Sequence, residues 1–161
     1  MNWYLIVLKK YAVFTGRARR KEYWYFVLFN AIITIFLLGL DYLIGLAEGQ
    51  TGVLSGLYQL GMIIPSFAVL VRRLHDTDRS GWWVVNYIIL TVAMGFFAIF
   101  VSLITSYVPQ TQAGSWLLII GMIITSCLSL ATLIVGIIMF VFTLLKSQEG
   151  SNRYGPNPIN D

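Results

Sequence analysis

Residues 82–107 read WWVVNYIILTVAMGFFAIFVSLITSY, without one charged side chain. About 20 apolar residues cross the roughly 30 Å hydrocarbon layer of a bilayer as a helix. This stretch is long enough to span it and to tilt or project beyond it. The rest of the chain has the same character. Of its 161 residues, 58% are hydrophobic and 11% charged, with a mean hydropathy of +0.77. A soluble domain needs roughly a quarter of its residues charged, so lipid is the solvent for most of this protein. Three further apolar segments qualify as spans, at about 23–44, 53–71 and 116–145. None shows the alternation of a transmembrane β-strand. The expectation is an all-α, polytopic membrane protein, a single membrane domain over 1–161 with four transmembrane helices and a tail at 146–161.

Orientation follows from the basic residues. Lys9, Lys10, Arg17, Arg19, Arg20 and Lys21 precede the first span, Arg72, Arg73 and Arg79 separate the second from the third, and Lys146 and Arg153 follow the fourth. Four spans place all 11 on one side, whereas three would put a basic group outside. Basic loops are retained in the cytoplasm, so both termini and the 72–81 loop are expected there. The start, MNWYLIVLKK, lacks the basic n-region of a cleavable signal, and the first span is expected to act as an uncleaved anchor. Cys127, the only cysteine, lies in the fourth span and has no partner for a disulfide or a thiolate metal site.

Within 2–14, Trp3, Tyr4, Val7, Leu8 and Tyr11 recur at helical spacing with Lys9 and Lys10 beside them. The pattern predicts an interfacial amphipathic helix, its aromatic groups at headgroup depth; a frayed terminus is the plainer alternative. FTGRARRKEYW, at 14–24, then gathers Arg17, Arg19, Arg20 and Lys21 with Glu22 as the one counter-charge. It reads as a topology signal that also attracts anionic headgroups, or more sharply as a shaped phosphate site.

Polar groups inside the spans are few. Asn30 falls about two turns into the first helix and Asn86 about one turn into the third, both in the expected inner leaflet. Pro65, about 10 Å in from Arg72, is predicted to interrupt the second helix, freeing the carbonyl of Gly61. Backbone groups freed at that depth must find partners within the protein. Asn30 and Asn86 read as glue between helices or as lining for a small polar cavity. Asp41, near the outer end of the first span, can reach headgroup water or serve as a buried proton relay. In the fourth span, Thr125 with Ser129 and Thr132 with Gly136 form small-xxx-small pairs suited to close contact within the monomer or between copies.

Between the second and third spans lies RRLHDTDRSGWW, residues 72–83. Ser80 and Gly81 suit the start of the third helix, and Trp82 and Trp83 suit an interfacial anchor. His75 beside Asp76 resembles a metal phosphohydrolase site, but the chain has no second histidine. Asp76-Thr77-Asp78 resembles the acidic pair of some glycosyltransferases, without a nucleotide-binding domain to accompany it. No nucleophile stands beside His75 in a catalytic motif. An arginine fork matches phosphate, so Arg72 and Arg73 suit headgroup level, and His75 would make such a site pH-responsive. The plain reading is a solvated, salt-bridged turn. The tail, SQEGSNRYGPNPIND, reads by composition as irregular or disordered.

Taken in order, FTGRARRKEYW, RRLHDTDRSGWW and NRYGPNP resemble the family of small bacterial inner-membrane proteins known as domain of unknown function 805, the YhaH-like proteins. The resemblance covers nearly the whole chain. It implies a multi-pass protein of the bacterial inner membrane and brings no activity with it. Two departures accompany it: many members carry Gly where Asp78 stands, and 82–145 is longer than in the compact members. All three motifs fall on the expected cytoplasmic face, so the tail is expected to pack as an ordered turn against the basic loop.

The function expected from these readings is non-enzymatic. Arg17, Arg19, Arg20, Arg72, Arg73, His75, Asp76, Arg79 and Arg153 frame one cytoplasmic surface for an anionic lipid headgroup or a protein partner. One alternative is a small oligomeric transporter or channel using Pro65, Asn30, Asn86 and Asp41. Another is a lipid-headgroup enzyme using His75 with Asp76. No cofactor, metal or nucleic acid is expected.

Overall fold

Long apolar runs with few breakers favour long helices, because in lipid every backbone polar group must be satisfied within its own segment. The structure is a computed structural model describing residues 3–48, 51–107 and 112–158. Its elements are α1 (Trp3–Lys9), α2 (Arg20–Leu43), β1 (Ala47–Glu48), β2 (Thr51–Gly52), α3 (Val53–Asp76), α4 (Trp82–Tyr107) and α5 (Gln112–Leu144). The fold is all-helical apart from β1 and β2, a two-residue antiparallel pair between α2 and α3. Helices α2 to α5 have the length and composition of membrane spans. They fall into two compact units, residues 1–81 with 142–161, and residues 82–141.

In the first unit, α2 and α3 form a hairpin against which α1 packs. Val7 of α1 is fully buried with Phe26 and Val69, and the Tyr4 ring stacks on Phe26 at 5.6 Å. Helix α1 is shorter than its predicted 2–14, ending at Lys9 and turning through 10–12. The hydroxyl of Tyr4 meets that of Tyr58 at 3.1 Å, and Tyr58 donates to Asn30 Oδ1. Asn30 thus ties α2 to α3, the glue reading of that residue.

Pro65 does not interrupt the second helix; α3 runs unbroken from Val53 to Asp76 through it. The carbonyl that Pro65 leaves without its helical donor, that of Gly61, accepts a hydrogen bond from the Tyr11 hydroxyl instead. The freed group is thus satisfied from outside the helix.

The end of the hairpin where α2 turns into α3 is closed by backbone geometry and by Asp41. Helix α2 stops in a Schellman motif, with Leu46 N–H donating to Asp41 O at 2.8 Å and Gly45 N–H to Tyr42 O at 3.4 Å. The motif needs a left-handed residue, supplied by Gly45 at φ +71°. Asp41, expected at headgroup water or as a buried relay, is held at the start of α3. It is fully buried, and its carboxylate accepts from the N–H groups of Leu54 and Ser55, each at 2.9 Å. It caps the first turn of α3 from the last turn of α2, where an anion also complements the helix dipole.

The second unit is the hairpin of α4 and most of α5. Its hydroxyls return to their own helices, as with Thr91 to Tyr87 O and Thr125 to Gly121 O, both at 2.8 Å. That satisfies them without a partner helix. Of the small pairs on α5, Thr132 with Gly136 faces α4. A Cβ at Gly136 would lie 3.5 Å from the Tyr87 ring, and Thr132 Oγ1 is 4.0 Å from Met94 Sδ. Asn86 is exposed on α4.

Candidate functional site

The site grows from the far end of α3. Apolarity falls away after Val71, yet the helix continues through Arg72, Arg73, Leu74, His75 and Asp76. The expectation that these residues form a solvated turn is corrected. Arg72 is 1% exposed, and Arg73 and Asp76 are fully buried. Charged groups bear such burial only when paired and hydrogen-bonded, and the pairing explains why the helix continues.

Asp76 is the hub. Its Oδ1 accepts from Arg17 Nε at 3.0 Å, and its Oδ2 accepts from Arg73 Nη1. The remaining guanidinium donors reach carbonyls of the C-terminal segment. Arg17 donates to Gly150 O at 2.8 Å and Gln148 O at 2.6 Å. Arg73 donates to Thr143 O at 3.2 Å and to Leu145 O. Arg72 turns the other way and pairs with Glu22 at 3.3 Å. Three guanidiniums and two carboxylates are therefore buried together, and carbonyl dipoles stabilise the excess positive charge.

Helix α3 ends in a second Schellman motif, with Arg79 N–H to Leu74 O at 2.9 Å and Asp78 N–H to His75 O at 3.1 Å. Asp78 is its left-handed residue at φ +57°, which accounts in backbone terms for the glycine found here in the family resemblance. The tail folds back over this end as an ordered turn, as the motifs implied and composition did not. The Tyr154 ring stacks on His75 at 3.8 Å between centroids, and Asn152 Nδ2 donates to His75 O at 2.9 Å. Gln148 N–H donates to Asp76 O at 3.1 Å. His75 Nδ1 donates to Gly16 O at 3.2 Å, because a carbonyl can only accept. The arrangement is a latch joining the N-terminal basic segment, the end of α3 and the tail.

The other cations lie outside the latch. The Arg19 guanidinium sits over the Trp3 ring at 5.7 Å, and Arg20 donates to Leu145 O. With Lys21, Lys146 and Glu149 they line an open cavity of about 450 Å³. Arg153 is exposed and pairs with Asp78 at 3.2 Å, while Arg79 lies over the Phe142 ring at 4.9 Å. The structure therefore gathers Arg17, Arg72, Arg73, His75 and Asp76 into a buried core and leaves Arg19, Arg20, Arg79 and Arg153 around it. Among the described residues, no group of His, Cys, Asp and Glu could hold a metal ion.

Sequence reasoning did not foresee the partners of this core. Glu22 was visible only as the lone carboxylate of a basic run. The NRYGPNP motif marked the segment of Asn152 and Tyr154 without naming their partners, and nothing local marked Gln148; the partners of all three in the latch stand 70 or more positions away by residue number.

Comparison with known proteins identifies the family. Residues 11–156 match the family model described as protein of unknown function, DUF805. The inner membrane protein YhaH of Escherichia coli K12 is 36% identical over 159 residues, covering 98% of this chain and 97% of that protein. The inner membrane protein YhaI of the same strain is 37% identical over 158 residues, covering 98% and 96%. No solved structure matches. With four helices able to span a bilayer, this is a multi-pass protein of the bacterial inner membrane.

Proposed function

The chain belongs to the DUF805 family, and from its latched basic face we propose that it is a non-catalytic membrane protein that binds anionic lipid headgroups. In this reading both termini are cytoplasmic and α1 lies in the interface. One observation carries the reading: the buried arginines are paired with Asp76 or Glu22, while Arg19, Arg20, Lys21 and Lys146, with Glu149, line an open cavity. The inner group, Arg17, Arg72, Arg73, His75 and Asp76, shapes the surface, and the outer cations meet phosphate. Arg79 and Arg153 extend the basic rim.

Each cation near an anionic surface contributes about 1 kcal/mol, so a ring of this kind retains lipid in a salt-dependent way. The transport reading has less support, because Pro65 leaves α3 continuous, Asn30 is engaged by Tyr58 and Asp41 is a helix cap.

The test is native mass spectrometry of protein released from nanodiscs containing phosphatidylglycerol, wild type beside Arg19→Gln/Arg20→Gln/Lys146→Gln. Anionic lipid held by the wild type and lost from the variant is the expected result. Equal retention by both would overturn the reading and turn attention to a protein partner.

A further inference from the structure

A second cavity, of about 330 Å³, shares Trp3 and Arg19 with the first and is lined in addition by Lys10, Glu22, Tyr154 and Pro156. Its composition is unlike that of a simple phosphate site. Lys10 and Arg19 bring positive charge, but Glu22 places a carboxylate in the same lining. Glu22 is 5% exposed. Its Oε1 has no hydrogen-bond partner among the described residues, and neither do the three guanidinium nitrogens of Arg72. The 3.3 Å approach of the two groups is a charge contact only. Buried polar atoms of native proteins are almost always hydrogen-bonded; the Glu22 carboxylate takes a backbone hydrogen bond at Arg19, but its Oε1 keeps acceptor capacity that the protein itself does not use.

The chemistry narrows what would complete it. A bare phosphate is repelled by the carboxylate. An ammonium would answer Glu22 but would meet Lys10, Arg17, Arg19 and Arg72 around it. A neutral hydroxyl donates to the carboxylate without adding charge, and a phosphate attached to the same small skeleton is attracted to the two cations. The Trp3 ring and Pro156 offer apolar walls for the carbons between, and Tyr154, whose ring is held between His75 and Arg153, contributes its edge. We infer that this cavity is a specificity pocket for a polyol phosphate headgroup. Its phosphate contacts Lys10 and Arg19, and its hydroxyls donate to Glu22. Tyr154 belongs to the tail and also stacks on His75, so the latch supplies one wall of the pocket.

This inference rests on the headgroup-binding reading and adds a ligand class to it. The experiment compares nanodiscs holding equal mole fractions of phosphatidylglycerol or phosphatidylmethanol, lipids of the same charge of which only the first carries free hydroxyls. The full-length wild type is expected to retain phosphatidylglycerol roughly tenfold better, the factor that about 1.4 kcal/mol represents. Glu22→Gln should shrink that preference while retention of phosphatidylmethanol stays constant. If that variant fails to fold, the comparison of the two lipids on wild type still decides the matter. Equal retention of the two lipids would overturn the pocket and leave the basic face standing; retention of neither would overturn both. Soluble glycerol phosphate serves as competitor. Displacement of the lipid supports a pocket that accepts the free polyol phosphate, and resistance supports one that reads it only as a headgroup.

Discussion

The two units of this protein meet the same difficulty with opposite means. Lipid tails are as apolar as leucine, so helices in a membrane gain little by burying apolar surface against each other. The unit built on α2 and α3 is fastened by charge at both ends: Asp41 caps α3 at one, and Asp76 gathers Arg17 and Arg73 at the other. The α4–α5 hairpin instead relies on small residues, with Gly121 against Val101 and Gly136 against Tyr87. The lesson concerns failure more than strength. A charged fastening lost on one side leaves the other side buried and unpaired, whereas a packed one loses only contact.

Asp76→Ala should break this contrast most visibly. Removing one partner from a buried ion pair typically costs about 3–5 kcal/mol, and here two guanidiniums lose the same carboxylate. A large fall in the thermal midpoint in detergent is expected, with trypsin cleavage appearing at Lys146 and Arg153. A midpoint close to wild type would mean that the backbone carbonyls alone sustain both arginines. Asp41→Ala removes the cap from the N–H groups of buried Ser55 and half-buried Leu54 and should cost about 1–2 kcal/mol. Hydrogen exchange should report it locally, as faster exchange at Leu54 and Ser55 with the 145–155 segment unaffected. In the other unit, Gly136→Ala adds a methyl at ordinary contact distance from Tyr87 and should change stability by no more than about 1 kcal/mol. A cost as large as that of Asp76→Ala would show that the packed hairpin tolerates change no better than the charged one.

Composition and hydropathy carried most of the architecture. Helix α4 occupies the predicted residues, 82–107, and α2 and the apolar part of α5 differ from expectation by one to three residues at each end. Hydropathy failed where a helix outlasts its apolar run. Arg72 to Asp76 look like loop because their partners cannot be seen locally: Arg17 and Asp76 are 59 residues apart and Arg17 and Gln148 are 131 apart. The same blindness hid the role of Asp41, whose donors stand 13 and 14 residues on, across a hairpin that sequence left as plain loop. For Pro65 the physical demand was legible, since its freed carbonyl needed a donor, but Tyr11 as that donor was not. The tail was legible only through its motif, because a segment rich in Asn, Gly and Pro looks the same in composition whether or not it has something to hold.

The Asp76 hub also imposes an order of events. A chain is made from its N-terminus and its domains tend to fold as they emerge. Arg17, Arg73 and Asp76 can meet once the first two spans are in the membrane. The carbonyls of Thr143, Leu145, Gln148 and Gly150 that complete both guanidiniums arrive only with the last segment. Contacts at such separation close slowly. Until then the nascent protein carries two guanidiniums whose carbonyl partners in the last segment have yet to be made.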